Sequence, residues 1–229
     1  PFARFWRCAL QVNPAGYHAT YRGSDHGLTE AAYNQALLEQ CLKLDIRVVG
    51  MADHGSVDSI DATRKVLEPA GIVVFPGFEI ASNDKTHFVC LFPEGTTSQL
   101  LECYLVHLQL LAPEDGVRPS RLSSVQLIEQ VADQLGGFVY AAHCTEDRGL
   151  LKQRLNHVWQ LSNLRAAQIP GSVEDLKGLD DDFYRRVFLN KDKAYEREHL
   201  MAAINAKDVA KPTDLEQPGA TCWIKMTRP

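Results

Sequence analysis

The chain is first narrowed by what it lacks. No apolar run approaches the roughly 18 residues that a membrane-spanning helix needs, and no stretch has the composition of a secretory signal. The expectation is a cytoplasmic protein with no membrane contact. The six cysteines, Cys8, Cys41, Cys90, Cys103, Cys144 and Cys222, never come within CxxC spacing, which leaves reduced core thiols as the expected reading. There is no internal repeat and no low-complexity linker. Basic charge is not in excess either. A formal net charge of −5 excludes a wholly basic, nucleic-acid-coating surface, although it leaves room for a local basic groove.

What is present suffices for a full core. The 229 residues, 45% hydrophobic and 23% charged, suit one domain spanning positions 1–229. A start at Pro1 in place of Met, and an end at Thr227-Arg228-Pro229 without a tail, lead us to expect a piece of a longer protein.

The stretch from Asp45 to Phe92 organises the rest. Three apolar runs in it, Ile46 to Met51, Ile72 to Phe75 and Phe88 to Phe92, each border groups suited to a metal. The first leads into Asp53-His54-Gly55, the second into Gly77-Phe78-Glu79, and His87 opens the third. Short Val- and Ile-rich runs separated by a helical pattern predict buried parallel strands, and polar groups at their carboxyl ends face the usual active-site side of an α/β barrel. Imidazole and carboxylate together suit Zn, Mn or Fe better than Ca.

Further strands are predicted over Phe5 to Val12, Phe138 to Ala142, Leu164 to Ile169 and Met201 to Asn205. A helix begins near Leu28 with Thr29 as its cap, another follows Ser56 and stops at Pro69-Ala70-Gly71, and Leu100 to Leu111 is helical. Pro113 to Pro119 reads as a loop. Ser123 with Gln126 is a capping box, and Leu150, Leu151, Leu155 and Val158 form a helical face. Seven strands mostly alternating with helices predict a parallel α/β barrel, with an open doubly wound sheet as the alternative.

Asp53-His54-Gly55, Gly77-Phe78-Glu79, His87, Ala141-Ala142-His143 and Asp208, in this order, resemble the signature of the PHP (polymerase and histidinol phosphatase) superfamily. The resemblance runs from about Phe5 to Met226. It implies a distorted (β/α)7 TIM-like barrel whose active members hold up to three metal ions for phosphoester hydrolysis. With Trp223-Ile224-Lys225-Met226 after the last motif, the chain is similar to PHP modules ahead of an SMC/ABC-like ATPase in bacterial proteins, some linked to phage defence. That likeness implies an ATPase domain or subunit continuing after Pro229, and nucleic acid as a partner.

Two departures bear on mechanism. The family's opening His-x-His reads Gln11-Val12-Asn13 here, and its closing Asp-x-His reads Asp208-Val209-Ala210. Neutral amides are poor ligands for Zn or Mn. By resemblance, one metal position keeps Glu79, His87 and His143. A second, of Gln11, Asn13, Glu79 and Asp208, loses both histidines, and a third retains His54 with His18 or His26. The metal set is therefore Glu79, His87, His143, His54 and Asp208, holding one divalent ion (Zn, Mn or Fe) or none, with His54, His26 and Glu79 as the catalytic groups.

Two functions follow as expectations. One is a metal-dependent phosphoesterase or nuclease with a reduced site, coupled to an ATPase. The other is a catalytically inactive barrel serving as a regulatory or docking module. His107, His157 and His199 read as surface residues, Cys90 and Cys144 as core, and the Arg185-to-Arg197 charges as a solvated face.

Overall fold

The computed structural model describes residues 2–17, 25–110 and 118–227. The central strands are short, mostly apolar runs buried along almost their whole length, and together the strands form one eight-stranded sheet that curls into a nearly closed barrel. In chain order the elements are β1 (Arg4–Val12), α1 (Glu30–Lys43), β2 (Ile46–His54), α2 (Ile60–Leu67), β3 (Val73–Ala81), β4 (His87–Leu91), α3 (Ser98–His107), α4 (Ser124–Glu129), β5 (Phe138–Ala141), α5 (Asn156–Trp159), β6 (Ala166–Gln168), α6 (Phe183–Phe188), β7 (Ala202–Ile204) and β8 (Cys222–Met226). Across the sheet the strands run β7, β6, β5, β4, β3, β2, β1, β8. Closure comes from Val209, which bridges to Val12 in parallel. Its N–H donates to Gln11 O at 3.0 Å, and its carbonyl accepts from Asn13 N at 3.0 Å.

Two features correct the all-parallel expectation. β4 pairs antiparallel with both β3 and β5, and β8 is an additional strand antiparallel to the first half of β1. The five residues Ser82 to Thr86 between β3 and β4 are too few for a parallel crossover, which needs about ten or more, but enough for a hairpin. Ser82 N donates to Thr86 O at 2.9 Å across this turn, and Lys85 takes the left-handed conformation there, at φ 65°. The Asp84 carboxylate ties the turn to α4, accepting from Ser82 Oγ, from Ser124 Oγ at 2.7 Å and from Ser124 N at 3.2 Å.

Helix boundaries follow local chemistry. Thr29 caps α1 by accepting from Ala32 N, and Ser123 and Gln126 make the reciprocal box on α4. Ser59 rather than Ser56 is the cap residue of α2. The Leu150 face is mostly a series of turns, with only Asn156–Trp159 helical, although Leu150, Leu151 and Val158 are buried as a helical face would be. His18 and most of the Pro113-to-Pro119 loop lie outside the described residues.

The core divides in two. One cluster, including Leu37, Ile60, Leu127 and Trp159, fills the layer between sheet and helices. The other, with Cys8, Leu10, Val48, Ala52, Val89, Leu91 and Tyr140, fills the barrel interior, where Tyr140 Oη donates to Leu10 O at 3.2 Å. Interior space is tight enough to require glycine at position 77, where a Cβ would overlap the carbonyl oxygen of Cys90. No helix among the described residues is long and apolar enough to cross a membrane.

Candidate metal centre

Period two along the strands carries the same interior face to the site. His54 follows Val48 and Ala52 by even steps on β2, Glu79 follows Phe75 and Gly77 on β3, and His87 precedes Val89 and Leu91 on β4. His54 and Glu79 are direct partners in the parallel β2–β3 register. The reversal of β4 brings His87, at its start, to the end of the barrel where β2 and β3 finish.

The result is a buried carboxylate ringed by imidazoles. His87 Nδ1 lies 2.7 Å from Glu79 Oε1, His54 Nε2 lies 3.3 Å from Oε2, and His143 Nε2 lies 3.9 Å from Oε1. Donor atoms of His54, Glu79 and His87 all fall within 4.8 Å of one another, and all three residues are buried. The side chain of Glu79 is 2% exposed. His87 and His143 also meet ring to ring, 5.1 Å between centroids, and Tyr17 stacks on His54 at 5.5 Å.

The positions flanking this group are held by neutral donors. Gln11 Nε2 donates to Glu79 Oε2. Asn13 Nδ2 donates to Asp208 Oδ1, and Tyr17 Oη donates to Asp208 Oδ2 at 3.0 Å. Asp53 Oδ1 accepts from His54 N at 2.6 Å, which ties this carboxylate to the backbone beside His54. His26 is engaged elsewhere, with Nε2 2.9 Å from Ala15 O and Nδ1 accepting from Leu28 N at 3.1 Å. It packs on Tyr33, whose hydroxyl donates to Asn13 O. Tyr17 and Gln168 escaped the sequence reading; Gln168, polar at the end of an apolar strand run, carried a signal, whereas Tyr17 carried none.

Electrostatics follow from this packing. Burial pulls His54 down, but the adjacent Glu79 carboxylate outweighs it and pushes His54 up to about 9. Burial raises Glu79, yet the charge and hydrogen bonds of His54 and His87 hold it below the usual carboxylate range. Asp208 is pushed up to about 6 by burial and by the neighbouring charge of Glu79. Burial lowers His143. Cys90 and Cys144 are buried, with their thiols pushed up by desolvation. His107, His157 and His199 are exposed, and Arg185 pairs with Glu174 at 3.0 Å on a solvated face.

The donor set fits a divalent transition-metal ion. Two donors on one tetrahedral ion sit roughly 3.4 Å apart, a spacing bracketed by the 2.7 Å of His87 Nδ1 and the 3.9 Å of His143 Nε2 from Glu79 Oε1. His143 Nδ1 has no hydrogen-bond partner among the described residues, and its Nε2 faces the carboxylate. The 2.7 Å contact of His87 is instead a hydrogen bond, which a bound ion would replace.

No family model matches the chain, and no curated protein matches it. Solved structures do. The Endonuclease Q complex with a 27-mer duplex substrate bearing an abasic lesion at the active site superposes with a TM-score of 0.50 at 13% identity, over 72% of this chain and 42% of that one. The lesion-specific endonuclease PfuEndoQ from Pyrococcus furiosus gives a TM-score of 0.53 at 12% identity, over 76% and 45%. The chain thus spans less than half the length of either. At such identity the likeness defines the fold, a PHP-type TIM-like barrel.

Proposed function

We propose that this domain is a metal-dependent phosphoesterase acting on phosphodiesters, nucleic acid among them, through a reduced site that holds one divalent ion. The observation that carries the reading is the buried Glu79 carboxylate facing His54 at 3.3 Å, His87 at 2.7 Å and His143 at 3.9 Å. The endonuclease activity named for two structures of like fold is consistent with it. Glu79, His87 and His143 would hold the ion. Bound there, a divalent ion polarises a phosphoryl oxygen and lowers the pKa of a coordinated water.

The chain's own groups supply the rest. His54, with Nε2 3.3 Å from Glu79 Oε2, is the imidazole placed beside the ion to move a proton to or from the reacting oxygens. In this role it is favoured over His26, whose ring nitrogens face Ala15 O and Leu28 N. Gln11 and Asn13 orient Glu79 and Asp208 without adding charge. An ATPase partner, implied by the family resemblance, belongs to the same proposal, and ATP-dependence of cleavage in the full-length protein tests it.

The deciding experiment is elemental analysis of protein purified without chelator, paired with cleavage of bis(p-nitrophenyl) phosphate. About one equivalent of Zn, Mn or Fe in wild type, lost with activity in His143→Ala, is the expected result. A wild type that binds no added Mn or Zn would overturn it. One observation favours the second reading, a non-catalytic docking module: Gln11 and Asn13 already satisfy the carboxylates that two further ions would need.

A further inference from the structure

Gln168 closes β6, and the β5–β6 register, Tyr140 with Ala166 and Ala141 with Ala167, carries it level with Ala142, one residue before His143. The next two backbone N–H groups of that neighbouring segment both end on it. The side-chain Oε1 accepts from His143 N, and the main-chain carbonyl accepts from Cys144 N at 3.0 Å. An N–H can only donate, which assigns the acceptor end of the amide to His143. Gln168 is almost fully buried, 6% exposed, so water is a poor substitute for this acceptor.

These two bonds matter because they flank one Cα. The peptide planes on either side of the His143 Cα are each pinned to Gln168, and two fixed planes fix the direction of the Cα–Cβ bond between them. The conformation so held is not one that a histidine adopts by preference, since φ is 29°, in left-handed territory. The turn beyond supports it, with Glu146 N donating to His143 O and Leu151 N to Cys144 O, each at 2.9 Å. Space there is close enough that a Cβ on Gly149 would overlap His143 O.

The imidazole has no such support of its own. A metal-ligating histidine usually donates its second ring N–H to a carboxylate, carbonyl or water that sets the orientation of the ring. In His143, Nδ1 has no hydrogen-bond partner among the described residues, whereas Nε2 lies 3.9 Å from Glu79 Oε1 and the ring meets that of His87 at 5.1 Å between centroids. Placement of this donor therefore falls to the backbone and to packing on His87.

We infer that Gln168 is a positioning residue of the metal centre: by bonding the amides before and after the His143 Cα, it aims Nε2 at the Glu79 carboxylate and so sets the affinity for the ion. The geometric half of this inference stands by itself, and its consequence for metal affinity rests on the single-ion reading proposed above.

The test compares wild type with Gln168→Met, close in volume but without a strong acceptor, and Gln168→Glu, which keeps one. Chelator competition gives the Co(II) affinity, visible absorption of the Co(II) protein reports the ligand set, and crystal structures of the EDTA-treated proteins give the position of His143. Gln168→Met should weaken Co(II) binding about tenfold or more, change the visible band, and release His143 Nε2 from its 3.9 Å approach to Glu79. Gln168→Glu should do none of these. Thermal unfolding in EDTA checks that both variants fold. Wild-type affinity and spectrum in folded Gln168→Met, an unmoved imidazole in its crystal structure, or a Gln168→Glu protein that loses affinity and spectrum would each overturn the inference. If Gln168→Met does not fold, the Glu variant decides alone. A wild type that takes up no metal removes the hydrolase reading instead, and the metal-free position of the imidazole then decides whether Gln168 aims it.

Discussion

The side-chain amide of Gln11 donates to Oε2 of Glu79, the same oxygen that faces His54 Nε2 at 3.3 Å. An uncharged donor thus stands where the resemblance implies an imidazole, and a buried carboxylate is satisfied on that side without a metal. A neutral amide cannot coordinate as a histidine does, so on the single-ion reading proposed above this contact, with that of Asn13 to Asp208, is what sets the number of ions.

Restoring histidines at positions 11, 13 and 210 should raise metal uptake above the wild-type value. Elemental analysis of the triple variant, loaded with Mn and desalted, checks this. An unchanged content would mean that ligand identity at these positions does not set the metal count.

Loading the site should stabilise the fold by mass action. Metal at about 100 times its Kd adds about 2.7 kcal/mol, visible as a rise in Tm over EDTA-treated protein. The rise should disappear in His87→Ala, because His87 contributes a donor within 4.8 Å of those of Glu79 and His54.

In the metal-free protein, Glu79→Gln should cost about 3 kcal/mol at neutral pH, since it removes the charge that holds His54 protonated in a buried place. Urea unfolding in EDTA measures it. A cost near zero would mean that the pair is solvated and that its burial contributes nothing.

Asp84 gives a pH dependence of known sign. Burial raises its pKa, but hydrogen bonds from Ser82, Ser124 and Thr86 outweigh that and hold it below its ordinary value of 3.8. A carboxylate depressed on folding stabilises above its unfolded pKa, and the contribution is lost as pH falls through the folded one. Wild type should therefore exceed Asp84→Asn in Tm by a constant margin at pH 5 to 7, and the margin should shrink below about pH 4. Thermal unfolding of both proteins across that range is the measurement.

Gly77→Ala should destabilise by about 3 kcal/mol or more, because the added methyl would overlap the backbone oxygen of Cys90, which cannot rotate away. Loss of soluble expression or a large fall in Tm is expected, whereas Gly95→Ala, with open space around its Cβ, should change little.

Much of the site was legible in the chain because its signals are local. Short apolar runs located the seven barrel strands, Thr29 and the Ser123–Gln126 box located helix starts, and His54 and Glu79 stand out as polar groups after apolar strand interiors. What the sequence by itself determined was which residues share a strand face, since alternation and capping act over two to four positions. Tertiary structure alone decided the direction of β4, because alternation is the same for a parallel and an antiparallel neighbour. It also decided the pairing of Gln11 with Glu79, of Asn13 and Tyr17 with Asp208, and of Gln168 with His143, contacts between residues 25 to 195 positions apart. Such contacts exist only once the barrel has curled, when a strand-end side chain meets whatever the neighbouring strands deliver at the same height.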